Sequence, residues 1–265
     1  MSKPRCLLAA LVAAAIVPAL SASAAEPIAL FDGTSLDAFY TFIKDRGRDD
    51  DPKGVFSMKD GELVITGEEW GCVTTKESFG DYHLVAEFRW AGPAHGDRKD
   101  KARDNGLLIH SQGEDGAYSG TWMYGIEVQI IEGGTGDFLV VADGRPEFAL
   151  TAPVKDEQDS GCWVYDPEGH LETIHKGRIN WWGRDPAWTD TIDYRGPQDV
   201  EKPVGEWNRL EVIALGRTVT VVLNGTLVNQ AVDVLPREGR IQIQSEGAEI
   251  RYRKIELTPL ATPEK

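Results

Sequence analysis

An all-β chain folded as a β-sandwich or a jelly roll follows from three observations. Nine short segments have strand character, and many of them alternate apolar and polar residues, the period of a strand with one packed face. Turn pairs such as Asp60-Gly61 and Asn224-Gly225 punctuate them. No window carries a sustained helical stripe, which removes the strand–helix alternation of an α/β fold.

In chain order, FDGTSLDAF (31–39) has the length for one helical turn, and GELVITG (61–67) is the first clear strand. YHLVAEFRW (82–90), GLLIHS (106–111), YGIEVQII (124–131) and DFLVVA (137–142) follow. NRLEVIALG (208–216), TVTVVLNG (218–225), RIQIQSE (240–246) and EIRYRKIEL (249–257) complete the set. An irregularity is expected before Ile255, where the last strand loses its alternation. Residues 151–204 read instead as one long ordered loop. They are rich in Pro, Gly and charge, yet hold Trp163, Trp181, Trp182 and Trp188, four of the eight tryptophans. Nothing marks a second domain or an internal repeat, so residues 26–262 are expected to form one domain.

Residues 1–25 are read as a secretory signal peptide. Lys3 and Arg5 precede an apolar core from Leu7 to Leu20, and small residues at the −3 and −1 positions suit cleavage after Ala24 or Ala25. The apolar run falls short of the roughly 18 residues that span a bilayer. The expected location is therefore periplasmic or extracellular. After Cys6, only Cys72 and Cys162 remain; they either pair in an oxidising compartment or stand as two buried thiols. Neither lies in a C-x-x-C or beside a spaced His pair, which argues against a zinc site.

The 265 residues carry 28 Lys+Arg against 43 Asp+Glu, a net charge of −15. Phosphate backbones and anionic lipid both need a basic surface, so nucleic acid and membrane are excluded as expected partners. Nothing points to a protein partner. An acidic, Trp- and Gly-rich chain suits a small neutral carbohydrate.

Alternation sorts the polar residues. In 124–131, Ile126, Val128 and Ile130 oppose Glu127 and Gln129; in 240–246, Ile241 and Ile243 oppose Gln242, Gln244 and Glu246. Such rows suit the hydrogen-bonding floor of a sugar site, or an ordinary solvated face. His110, at a strand end, is expected to face the groove of Glu127, with Asp104 or Glu246 nearby. That group could act in acid–base chemistry, or His110 and Glu127 could hold a divalent metal.

The run Glu127 to Glu132 has the form E-x-Q-x-x-E. A bulge after Ile130 would return Glu132 to the face of Glu127, giving the carboxylate pair, about 5 Å apart, of a retaining glycosidase. The spacing resembles the E-x-D-x-x-E motif of laminarinase- and carrageenase-type glycosidases, with Gln129 in place of the central Asp.

A wider resemblance covers residues 28–260. LFDGTSLDAF, MKDGELVITG, TTKESFGDYHLVAEFRW, DNGLLIHS, YGIEVQI, GEWNRLEVIALG, VLNGTLV and GRIQIQSEGAEIRYRKIEL occur in order. Together they resemble the 3-keto-disaccharide hydrolase family, which has 3-keto-glucoside 1,2-lyase and 3-keto-2-hydroxy-glucal hydratase activity. Glu246 stands where the family commonly has His, and Arg253-Lys254 where it often has Arg-Asn. The resemblance implies a concanavalin A-like jelly roll and an exported enzyme that cleaves 3-keto-glycosides by β-elimination and hydration. In that chemistry a C3 ketone acidifies the C2 proton, an enolate forms, and the C1 oxygen leaves. The roles it implies here are Glu127 as base, His110 as acid or metal ligand, Glu246 beside them, and Arg89 or Arg251 at the enolate. Gln129, Gln242 and Gln244 would hold sugar hydroxyls, and Trp181, Trp182 and Trp188 would stack on sugar faces. A retaining glycosidase and a non-catalytic carbohydrate-binding module are the competing readings.

Overall fold

A computed structural model describes residues 25–261; apart from Ala25, the expected signal peptide lies outside the described residues. Two sheets face each other, antiparallel except where Trp163–Val164 pairs parallel with Gly177–Asn180. The eight-stranded one runs Thr226–Ala231, Thr218–Leu223, Asn208–Leu215, Tyr82–Ala94, Ala248–Pro259, Glu62–Ile65, Phe56–Lys59, with Ile28–Phe31 also on Ala248–Pro259. The nine-stranded one runs Trp163–Val164, Gly177–Asn180, Phe138–Val141, Tyr124–Ile131, Asp104–Gln112, Arg240–Ser245, Gly71–Thr75, Phe39–Ile43, Gly47–Arg48. The architecture is the expected all-β concanavalin A-like jelly roll. The segment 31–39 forms turns and a bend rather than a helical turn, and the one helical element described is the 3₁₀ turn Gly96–Arg98.

Alternation fills the core from both sides. Leu107, Ile109, Ile126, Val128, Ile130, Ile241 and Ile243 descend from the nine-stranded sheet. Leu84, Phe88, Leu210, Val212, Ile250 and Tyr252 rise from the other. The Tyr252 hydroxyl donates to Asn105 Oδ1 across the interior (2.8 Å), and Asn105 Nδ2 in turn binds the Gln244 carbonyl. The register of the last strand slips between Tyr252 and Lys254, the irregularity expected before Ile255.

The stretch 151–204 is less of a loop than its composition suggests. Ala149–Val154, His170–Ile174 and Asp233–Leu235 form a third sheet, and Trp163–Val164 and Gly177–Asn180 extend the large one. These pieces are two to six residues long, too short for alternation to show. The irregular part is 181–207. Glu201 ties it down, accepting the Trp90 indole N–H (2.6 Å) from one sheet and bonding Thr135 (2.9 Å) beside the other. Cys72 and Cys162 are free thiols. Among the described residues no helix is long and apolar enough to cross a membrane.

Leu107 is fully enclosed between the sheets. Leu107→Ala is expected to cost about 2–5 kcal/mol, because the cavity it leaves can only partly collapse. Denaturant unfolding measures this; a loss under about 1 kcal/mol would mean that the sheets do not close over that position.

Candidate functional site

The outer face of the nine-stranded sheet carries what its aliphatic residues leave behind. Antiparallel pairing sets Glu127 opposite Leu108 and Leu139, Gln129 opposite Gly106, and Leu108 opposite Gln242. Two-residue steps then bring Asp104, Gly106, Glu127, Gln129, Gln244 and Glu246 to one face. Gly106 is the gap that lets them converge. A Cβ there would overlap both Glu127 Oε1 and Gln244 Oε1.

The face is a groove of two adjoining cavities, about 320 and 440 Å³, that share Asp104 and Arg178. One end is aromatic, with Trp70, Tyr118 and Trp122 beside Leu139 and Val141; the Trp70 and Trp122 rings lie 6.1 Å apart. The other end holds Arg98, Arg184, Asp190 and Trp188. Between them, Asp104 accepts from Gln129 Nε2 (2.6 Å) and pairs with Arg98 (3.2 Å). Arg178 pairs with the fully buried Asp137 (3.0 Å), which also binds Arg184 and accepts the Trp181 amide (2.8 Å).

Crowding three carboxyls in a partly dry groove makes them hard to ionise. Burial pushes Glu127 up to about 8, aided by Asp104 and opposed by Arg178. Burial likewise raises Asp104 to about 7, against the pull of Arg98 and Arg178. Glu246 is raised well above the usual range by burial and then by Asp104 and Glu127. Near neutral pH the groove therefore holds both a proton donor and a proton acceptor. Gln244 Oε1 is buried without a hydrogen-bond partner, on the side of Gly106 and Glu127.

Several expected members stand elsewhere. His110 has φ of 53° and sits where the strand register slips after Ile109, so its side chain leaves the groove face. Its Nδ1–H donates to the Pro236 carbonyl (2.9 Å) and its ring meets Tyr82 edge-on; burial lowers its pKa to about 4. His110 and Glu127 thus share no metal site. Among the described residues no group of three His, Cys, Asp or Glu side chains is placed to hold a metal ion. Arg89 and Arg251 lie on the outer face of the opposite sheet, paired with Glu62 at 2.8 and 3.4 Å. Alternation identifies a strand's two faces but not which sheet faces which. Glu132 is on the other side too, because the strand runs without a bulge from Glu127 to Ile131. It binds Arg103 (2.5 Å) and the Asp193 amide, so the proposed carboxylate pair does not form.

Gln242 shares the strand face of Gln244 but is fully buried and already used. Its amide donates to Thr74 (2.9 Å) and accepts the Met123 amide (3.0 Å), holding the 113–123 loop over the sheet. Trp181 is core, Trp182 lines a different cavity, and Trp188 alone of the three borders the groove, its indole donating to the Glu132 carbonyl (2.8 Å). Sequence reasoning missed Arg98, Arg178, Trp70, Tyr118 and Trp122. Arg178 could have been found only through the pairing of its short strand with Leu139.

A jelly roll whose sheet carries an aromatic-walled groove with carboxyls and guanidiniums at its centre defines a carbohydrate-active β-sandwich protein. The chain belongs to the 3-keto-alpha-glucoside-1,2-lyase-like domain family, whose model matches residues 26–258. Among solved structures it is similar to a candidate glycosyl hydrolase from Parabacteroides distasonis ATCC 8503, at 16% identity and TM-score 0.50, covering 89% of this chain and 94% of that one. A second from the same organism, at 17% identity and TM-score 0.49, is matched over 89% of this chain and 100% of its own. A galectin-like protein from Bacillus subtilis, at 13% identity and TM-score 0.48, is matched over 91% and 98%. At 16% identity the first of them speaks to the fold alone. No curated protein sequence matches the chain.

Two outcomes are expected here. Gly106→Ala should leave the core intact but separate Glu127 from Gln244, cutting turnover at least about tenfold; near-normal activity in a folded variant would count against the convergence. For stability, a carboxyl whose folded pKa is raised contributes fully below its unfolded value, near 4.3, and loses that contribution as pH rises. Thermal melts of Glu127→Gln and the parent should therefore diverge between about pH 4.5 and 8, the variant gaining. A pH-independent difference would contradict the raised value.

Proposed function

We propose that the protein is an exported enzyme that cleaves 3-keto-glycosides by β-elimination followed by hydration. The observation that carries this reading is the cluster of Glu127, Asp104 and Glu246, hard to ionise and faced by Arg178, in a groove open to a sugar. Family membership supports it.

Elimination needs a base near C2 whose strength matches a weakly acidic C–H. A carboxylate of pKa about 8 is far stronger than an ordinary one and is still partly ionised near neutrality. Glu127 removes the C2 proton, and the Arg178 guanidinium stabilises charge gathering on the C3 oxygen. Glu246, held protonated, gives its proton to the departing C1 oxygen. Water then adds across C1 and C2, giving net hydrolysis. Asp104, fixed by Arg98 and Gln129, sets the charge balance, and Gln129 and Gln244 orient the ring. Trp188 and the Trp70–Trp122 wall offer faces for sugar stacking. The classical retaining glycosidase loses its second carboxylate with Glu132 tied to Arg103, so elimination is the better supported reading.

Incubation with a 3-keto-disaccharide and with its unoxidised parent tests the proposal. Release from the keto sugar only is expected; release from the parent only would assign glycosidase chemistry, and binding without release a non-catalytic module. Glu127→Gln should lower kcat/KM on the keto sugar at least about 100-fold. With Glu127 as base, kcat/KM should climb as pH approaches about 8, whereas a profile falling through that range would make Glu127 the acid.

A further inference from the structure

Trp182 stands outside the groove, and its surroundings have a use of their own. Its indole N–H donates to the Leu227 carbonyl (2.8 Å), and its ring meets the buried Trp181 edge-on at 5.4 Å. The polar atom is satisfied and the ring is fixed, yet 36% of the residue stays exposed. The ring lines a cavity of about 630 Å³ with Lys155, Tyr165, Asp166, Pro167, Gln198 and Leu227. No lining residue is shared with the groove. Asp166 uses one carboxylate oxygen on the Glu168 amide. Among the described residues, Lys155 and Gln198 make no side-chain hydrogen bond or ion pair.

We propose that this cavity is a second carbohydrate-binding subsite, holding a pyranose ring of a neutral glycan against the face of Trp182. The axial C–H face of a pyranose is apolar and covers an indole, while its equatorial hydroxyls need donors and acceptors around the rim. Lys155 supplies donors, Asp166 an acceptor, and the Gln198 amide both. A wholly apolar partner would strip water from Lys155 and Asp166 without replacing their hydrogen bonds. An anionic polymer would meet a chain of net charge −15. The inference rests on the chain's carbohydrate-active class and not on the elimination chemistry. A subsite here would hold a longer glycan to the protein independently of turnover in the groove.

Cellohexaose, laminarihexaose and maltohexaose titrated into full-length protein carrying Glu127→Gln, followed by tryptophan fluorescence and calorimetry, provide the test. At least one should saturate, and Trp182→Ala should weaken that binding about tenfold or more. Lys155→Ala/Gln198→Ala, two exposed substitutions that leave the core alone, should weaken it also. In the parent background the same double variant should turn over a small 3-keto-disaccharide as before. The proposal is overturned if none of the three glycans saturates, or if binding is unchanged in both variants. A fluorescence change that follows protein concentration rather than glycan would assign the face to a second copy of the chain, and overturn it equally. Failure of keto-sugar turnover would leave the glycan titration readable, so the two readings fail separately.

Discussion

Two neighbouring strands, Asp104–Gln112 and Tyr124–Ile131, cannot send their aliphatic side chains into the core without sending Asp104, Glu127 and Gln129 to the opposite face. The site depends on this constraint. The core demands Leu107, Val128 and Ile130 on one side, and the two-residue period places their neighbours on the other with no freedom of register. Gly106 completes the arrangement by leaving space at the centre, where Glu127 and Gln244 approach from strands on either side. The same sheet that stabilises the fold thus concentrates like charges, and burial keeps part of them protonated.

The positive groups arrive by a different route. Arg178 comes from a short strand on the far flank, Arg98 from the 3₁₀ turn, Arg184 from the irregular 181–207 segment, and Asp137 gathers two of them. Its carboxylate has no exposure and binds Arg178, Arg184 and the Trp181 amide, so one buried anion fixes two guanidiniums and the start of the 181–207 segment. Two cations on one anion leave one positive charge in excess, and Arg178 is the one of the two that acts on Glu127 and Asp104. In the proposed elimination, that excess would face the anionic intermediate in a groove already rich in carboxyls. Glu201 anchors the far part of the same segment to both sheets, and Trp188 reaches the groove from between these two anchors.

The tryptophans show how one composition signal divides in space. Trp181 went to the core, Trp188 to the groove, and Trp182 to a separate cavity, although all three lie within eight residues of chain. In an irregular segment no period relates neighbouring side chains, so their destinations depend on what the loop packs against. The aromatic wall of the groove comes from Trp70 and Trp122, on two other loops.

The order of apolar and polar residues by itself determined the all-β class, nine of the strands, the slip before Ile255 and the face shared by Glu127, Gln129, Gln244 and Glu246. These are local consequences of a two-residue period. Tertiary structure alone decided which sheet bears the groove, and with it the exclusion of Arg89 and Arg251, because alternation is the same on either sheet. It also turned His110 away at a register slip, tied Glu132 to Arg103, used Gln242 to hold a loop, and brought Arg98 and Arg178 to the carboxyls. Each of these rests on contacts between residues distant in sequence: pairing and burial across the sandwich fix them, and no local period encodes them.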